Sequence, residues 1–69
     1  MYLHEAIAKI LTEKNRPMTA RELADEINQR KLYIKKDETL IETSQIHARV
    51  KNYTQLFRKR DGLISLREE

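Results

Sequence analysis

Residues 43 to 60 carry Arg49, Lys51, Arg58, Lys59 and Arg60 and not one acid. Five cations without a counter-charge create a local field of one sign, and such a field attracts a polyanion. Elsewhere the charges balance: residues 1 to 42 carry eight Lys or Arg and eight Asp or Glu, and residues 61 to 69 carry Arg67 against Asp61, Glu68 and Glu69. The chain as a whole is only mildly basic, at +3, so the excess lies in one stretch. Ser44, Gln45, His47, Ala48, Asn52 and Gln55 are interleaved with these cations, all of them small or polar. Asn52 and Gln45 could bond an adenine edge in two places, Ala48 could touch a thymine methyl, and Lys51 could reach guanine or phosphate. Ser44, at a helix start, could hold a phosphate through exposed N–H groups. Arg58, Lys59 and Arg60 could meet a phosphate backbone or a minor groove, with an affinity that falls with salt and does not itself read sequence. Each has a plainer alternative. A polar helix face can be merely solvated, Arg49 could pair with a carboxylate of an earlier helix, and charges on an edge strand also block aggregation.

Other chemistry finds little to work with. His4-Glu5 lacks the second histidine of a zinc hydrolase motif. His4 and His47 are the only histidines and there is no cysteine, so neither a metal site nor a disulfide is expected. Ser44 and His47 lie three apart on one helix, without a third group or an oxyanion pocket. Asp25-Glu26 and Glu68-Glu69 are ordinary solvated acids, and one glycine cannot make a phosphate loop. The expectation is a binding module with no cofactor and no enzymatic activity.

Periodicity supplies the elements that must hold the cationic stretch. Leu3, Ala6, Ile7, Ile10 and Leu11 recur at helical spacing over Tyr2 to Lys14, and Asn15-Arg16-Pro17 ends that helix. Thr19-Ala20-Arg21-Glu22 is a capping box for a second helix, which should end near Arg30 or Lys31. Leu32 to Thr43 is a long connection, in which Leu40 and Ile41 could anchor to the core. A third helix from Thr43 or Ser44 puts Ile46, Val50, Tyr53 and Phe57 on one face and Ser44, Ala48, Lys51, Asn52 and Gln55 on the other. Arg60-Asp61-Gly62-Leu63 reads as the tight turn of a hairpin, because both central positions favour φ > 0. The order is mainly α: three helices, then a C-terminal β-hairpin wing, with a short strand near Met18 that could add to the hairpin edge. This is a winged helix-turn-helix. The expected core is Leu3, Ile7, Ile10, Leu11, Leu23, Ile27, Ile46, Val50, Tyr53, Phe57, Leu63 and Leu66.

Sixty-nine residues allow a single domain, 1–69, which could be part of a longer protein. Hydrophobic residues make up 39% and charged ones 36%, too apolar for simple disorder and too charged for a membrane span. No stretch approaches the roughly 18 apolar residues of a membrane helix, and no signal-peptide core is present. The chain is expected to be cytoplasmic in a bacterium or nuclear in a eukaryote, neither secreted nor membrane-bound.

The runs Leu3-His4-Glu5-Ala6-Ile7, Arg16-Pro17-Met18-Thr19-Ala20-Arg21-Glu22-Leu23-Ala24, Lys31-Leu32-Tyr33 and Thr43-Ser44-Gln45-Ile46-His47-Ala48-Arg49-Val50 resemble the HARE-HTH winged-helix family. The resemblance extends from about Leu3 to Leu66. That family occurs in homeobox-associated, Asx-like chromatin and restriction-endonuclease-associated proteins and in the delta subunit of bacterial RNA polymerase. It implies a three-helix winged fold and a DNA-binding role in transcription or restriction, with Ile46 and Val50 as packing positions and Ala48-Arg49 as the small-residue–Arg step of helix 3. Lys31 stands where the family commonly has glycine, and Ile41-Glu42 replace a proline-containing lead into helix 3. Two functions follow as expectations. The first is binding of double-stranded DNA, with helix 3 in the major groove and the wing on the backbone. The second is docking on a protein, such as a polymerase or nuclease partner, through the apolar residues Tyr33, Ile34, Leu40 and Ile41 of the loop from Leu32 to Thr43.

Overall fold

The computed structural model describes residues 2–67. Leu3, Ala6, Ile7, Ile10 and Leu11 form the buried face of α1 (Leu3–Lys14). Asn15 ends the helix in the left-handed region, at φ 53 and ψ 43, and donates its N–H to the Leu11 carbonyl at 2.9 Å. Met18 and Thr19 form the short strand β1 (Met18–Thr19), with Met18 buried. The capping box then starts α2 (Ala20–Arg30): the Glu22 N–H donates to Thr19 Oγ1 at 3.1 Å, and the Thr19 N–H donates to Glu22 Oε1 at 2.9 Å. Lys31 stops α2 at φ 55 and ψ 39, and the Leu32 N–H returns to the Ile27 carbonyl at 3.1 Å. Lys31 therefore takes the backbone conformation that glycine takes most easily.

The long loop is tied down at one point. The Asn28 side chain donates to the Ile41 carbonyl at 3.0 Å and accepts the Ile41 N–H at 2.8 Å. This two-way clasp satisfies the loop backbone while Ile41 itself enters the core. Leu40 does not share the anchoring role expected of it. It is 68% exposed, and Ile34 is 61% exposed. The third helix, α3 (Thr43–Asn52), follows directly.

A turn over residues 53–56 leads into β2 (Phe57–Arg60), and Asp61 and Gly62, at φ 53 and 79, join it to β3 (Leu63–Leu66). β3 lies between β1 and β2, and both pairings are antiparallel. The strand near Met18 thus joins the hairpin edge as expected. Register corrects two core assignments. Phe57 pairs with Leu66 and Lys59 with Ile64, while Arg60 pairs with Leu63. Residues opposite one another share a face and alternate along a strand. With Phe57 inside, Ile64 is fully buried and Leu63 faces outward, 41% exposed. Leu66 and Tyr53 pack against the core only partly buried.

The remaining expected core residues are buried, and Ala6, Met18, Ala20, Ala24 and Ile41 join them. α1 packs on both α2 and α3, and α2 packs on α3. These three helices with the hairpin wing make a mainly helical winged helix-turn-helix. On its outer side the His4 imidazole stacks on Tyr53, with ring centroids 4.1 Å apart, and lies near-parallel to Tyr2 at 5.7 Å. His4 is thus a packing residue, although its buried Nδ1 finds no hydrogen-bond partner among the described residues.

Candidate nucleic-acid interface

α3 is anchored by Ile46 and Val50, so its remaining residues are displayed by helical geometry. Ser44, Ala48, Lys51 and Asn52 are exposed, and Gln45, His47 and Arg49 are half-buried. Gln55 does not belong to this face. The helix ends at Asn52, and Gln55 lies exposed in the turn that follows. A sequence reading that carried the period through Phe57 overran the helix by more than a turn, because Phe57 fits both a helical and a strand position.

Gln45 holds the helix start. Its Oε1 accepts the Glu42 N–H at 2.9 Å, which leaves the amide NH₂ for other partners. Glu42 also puts a carboxylate at the N-terminal cap of α3. That charge suits the helix dipole but opposes a phosphate at the place first expected for one near Ser44.

The hairpin divides the three wing cations. Alternation along β2 puts Lys59 on the face of Phe57 and Ile64, and Arg58 and Arg60 on the other face. Lys59 reaches α3, where its Nζ donates to His47 Nδ1 at 2.9 Å. The ammonium has no acceptor capacity, so this contact needs the neutral imidazole with its proton on Nε2. Arg58 and Arg60 remain solvent-exposed.

A groove of about 510 Å³ lies between α3 and the hairpin. Val50 and Phe57 line its apolar part; His47, Ala48, Lys51, Thr54, Arg58, Lys59 and Arg67 complete it. Arg67 and Thr54 escaped the sequence reading. Arg67 follows the strand end, its N–H donates to the Leu56 carbonyl at 2.8 Å, and its Nε donates to the Thr54 carbonyl at 2.9 Å. The signal for it was present in the hairpin: counting outward from Asp61-Gly62 puts Arg67 opposite Leu56, beside the end of the third helix.

Charge segregation separates this face from the rest of the molecule. Lys9 pairs with Glu13 at 3.3 Å, Lys14 with Glu26 at 3.9 Å, Arg16 with Glu22 at 3.4 Å, and Arg30 with Glu26 at 3.1 Å and also with Glu13. All of these residues lie on α1, α2 or the short link between them. The Arg30 guanidinium bonded to Glu13 holds that carboxyl below the ordinary glutamate range, with Lys9 adding to the effect. The Thr19 N–H does the same for Glu22, helped by Arg16. Among the described residues, Arg49, Lys51, Arg58, Lys59, Arg60 and Arg67 form no ion pair. Arg49 therefore does not find the carboxylate of α1 or α2 that its place near the core edge could have offered.

Among the described residues no three acids or histidines gather as a metal site, and no helix is long and apolar enough to cross a membrane. Comparison with curated proteins and with solved structures finds no match. Comparison with family models gives HARE-HTH, the ASXL and restriction endonuclease HTH domain, over residues 1–68. With three helices, a hairpin wing and this match along almost its whole length, the chain belongs to the HARE-HTH family of helix-turn-helix domains, a non-catalytic family of DNA-binding type.

Proposed function

We propose that this domain binds double-stranded DNA, with α3 in the major groove and the hairpin along the sugar–phosphate backbone, as the DNA-directed module of a transcription- or restriction-related protein. The observation that carries the reading is the segregation of charge. Six cations on α3, β2 and the end of the hairpin have no carboxylate partner among the described residues, whereas those of α1 and α2 are paired. Leaving like charges unpaired on one face is unfavourable unless an anion offsets it. Ala48 and Asn52 offer a small and a polar contact to base edges from the exposed side of α3. Ser44, Lys51, Arg58, Arg60 and Arg67 serve the phosphates, with Arg49, Gln45 and His47 at the margins of the helix and Gln55 in the adjoining turn. Phosphate contacts set affinity and register, and base contacts set sequence preference.

An amide-detected NMR titration with a short duplex tests this. Shifts concentrated on Ser44 to Asn52, Arg58 to Arg60 and Arg67 are the expected result, and Lys51→Ala and Arg58→Ala should each weaken binding. Shifts spread without pattern, or dissociation constants no tighter than millimolar at low salt, would overturn it. A second reading has its own observation. Ile34 and Leu40 stand 61% and 68% exposed on the loop before α3, so this loop could dock on a protein. Shifts confined to residues 32–43 on adding a protein partner, with none on adding DNA, would favour that role.

A further inference from the structure

Resting on the DNA-binding reading, we propose that the groove between α3 and the hairpin holds one backbone phosphate of the bound duplex, and that this phosphate brings a proton onto His47. Lys51, Arg58, Lys59 and Arg67 all line the groove, no acid lines it, and its walls include the buried side chains of Val50 and Phe57. Two of these cations are already held in place. The Thr54 carbonyl holds the Arg67 guanidinium at Nε, leaving its outer N–H groups for an anion. His47 holds the Lys59 ammonium at 2.9 Å. A phosphodiester in this groove would receive charge-assisted hydrogen bonds from preoriented donors, the arrangement in which such bonds are strongest.

The proton follows from the electrostatics around His47. Its neighbours are Lys51 on its own helix, Arg58 and Lys59 on β2, Arg67 after β3, and the uncharged Thr54 in the turn. In the free protein Nδ1 is the acceptor for Lys59, so a proton there would break that bond and add one more positive charge to the group. An entering phosphate reverses both effects. Its negative charge offsets the surrounding cations, and its oxygens offer Lys59 a better acceptor than a ring nitrogen. With Lys59 turned onto the phosphate, His47 Nδ1 is released to take one proton from solvent and to donate it in a hydrogen bond to the same anion. No covalent bond changes; the solution loses one proton and the complex gains it. Imidazole is the side chain whose charge ordinarily changes near neutral pH, so the exchange falls in a measurable range.

The test is the dissociation constant for a short duplex, read by fluorescence anisotropy from pH 8 to pH 6 at constant ionic strength. Uptake of one proton raises affinity by up to about tenfold per pH unit. The wild-type protein should gain about three- to tenfold per unit over part of this range. His47→Gln should flatten the profile, because glutamine can still accept from Lys59 but cannot titrate. Calorimetry in two buffers of different ionisation enthalpy should show a net uptake approaching one proton for the wild type and none for the variant. Tight duplex binding that ignores pH, or an equal slope in His47→Gln, would overturn the proton coupling and leave DNA binding standing. Absence of duplex binding at any pH would remove both. Equal affinity and pH slope for a polyglutamate peptide would overturn the assignment of the groove to phosphate.

Discussion

The register of the hairpin decides which wing residues face α3, and a pair of neighbouring substitutions tests it. Ile64 is fully buried and sits beside Met18 on one strand and Lys59 on the other. Leu63 is 41% exposed on the opposite face. Ile64→Ala removes core methyl and methylene groups and leaves a cavity, a change that costs about 2–5 kcal/mol. A domain of this size has a total stability of only about 3–10 kcal/mol, so the variant should lose a large part of its folded population. Leu63→Ala removes a side chain already partly in water and should cost less than about 1 kcal/mol. Urea titration followed by circular dichroism measures both, with a shared dependence on denaturant. The melting temperature should fall by about 10 °C or more for Ile64→Ala and by a few degrees at most for Leu63→Ala. Equal losses, or a larger loss at Leu63, would refute the register. It would also turn Lys59 away from His47 and Arg58 toward it, and so dismantle the groove.

Lys31→Gly should stabilise the domain by about 0.5–1 kcal/mol in the same urea assay, because Lys31 occupies the left-handed region at φ 55; a loss of stability would show that the lysine side chain makes a contact worth more than the strain. Acid should destabilise the fold. Glu13 is held below its ordinary value first by Arg30, Glu22 by the Thr19 N–H, and Asp37 by the Thr39 hydroxyl. Depressed carboxyl values stabilise the folded state above the ordinary range and lose that contribution as pH falls through the lowered values. The urea midpoint should therefore hold from pH 7 to about 5 and decline from the ordinary glutamate value of 4.5 downward, with a smaller decline in Glu13→Gln. A midpoint independent of pH below 4.5 would contradict this. Arg67→Ala should weaken duplex binding for all sequences alike and reduce the slope of its salt dependence by about 0.9, the amount for one phosphate contact; an unchanged slope would remove Arg67 from the interface.

Most of the architecture was legible because its signals are local. The spacing of Leu3, Ile7 and Ile10 defines α1, the Thr19–Glu22 box starts α2, and Asp61-Gly62 gives the hairpin turn. What escaped depended on partners distant in sequence. Leu63 and Ile64 are adjacent and both apolar, so only pairing across the hairpin and against β1 tells which one faces inward. Ile41 anchors the loop while Leu40 does not, because the Asn28 side chain clasps the Ile41 backbone from thirteen residues away. The end of α3 was lost because no glycine or proline marks it, and Tyr53 and Phe57 extend the apolar period past the true boundary. For the candidate site, the acid-free run pointed to the right surface. It could not show that Lys59 turns back to His47, that Gln45 holds the helix start, or that Arg67 returns to the groove.

The salt dependence of duplex binding tests the central claim most directly. If the unpaired cations of α3 and the hairpin meet DNA phosphates, a plot of log affinity against log salt should be linear with a slope of about −3 to −5. Raising salt from about 50 to about 200 mM should then cost affinity on the order of 100-fold. A slope near zero, or binding that is undetectable even at low salt, would contradict the account.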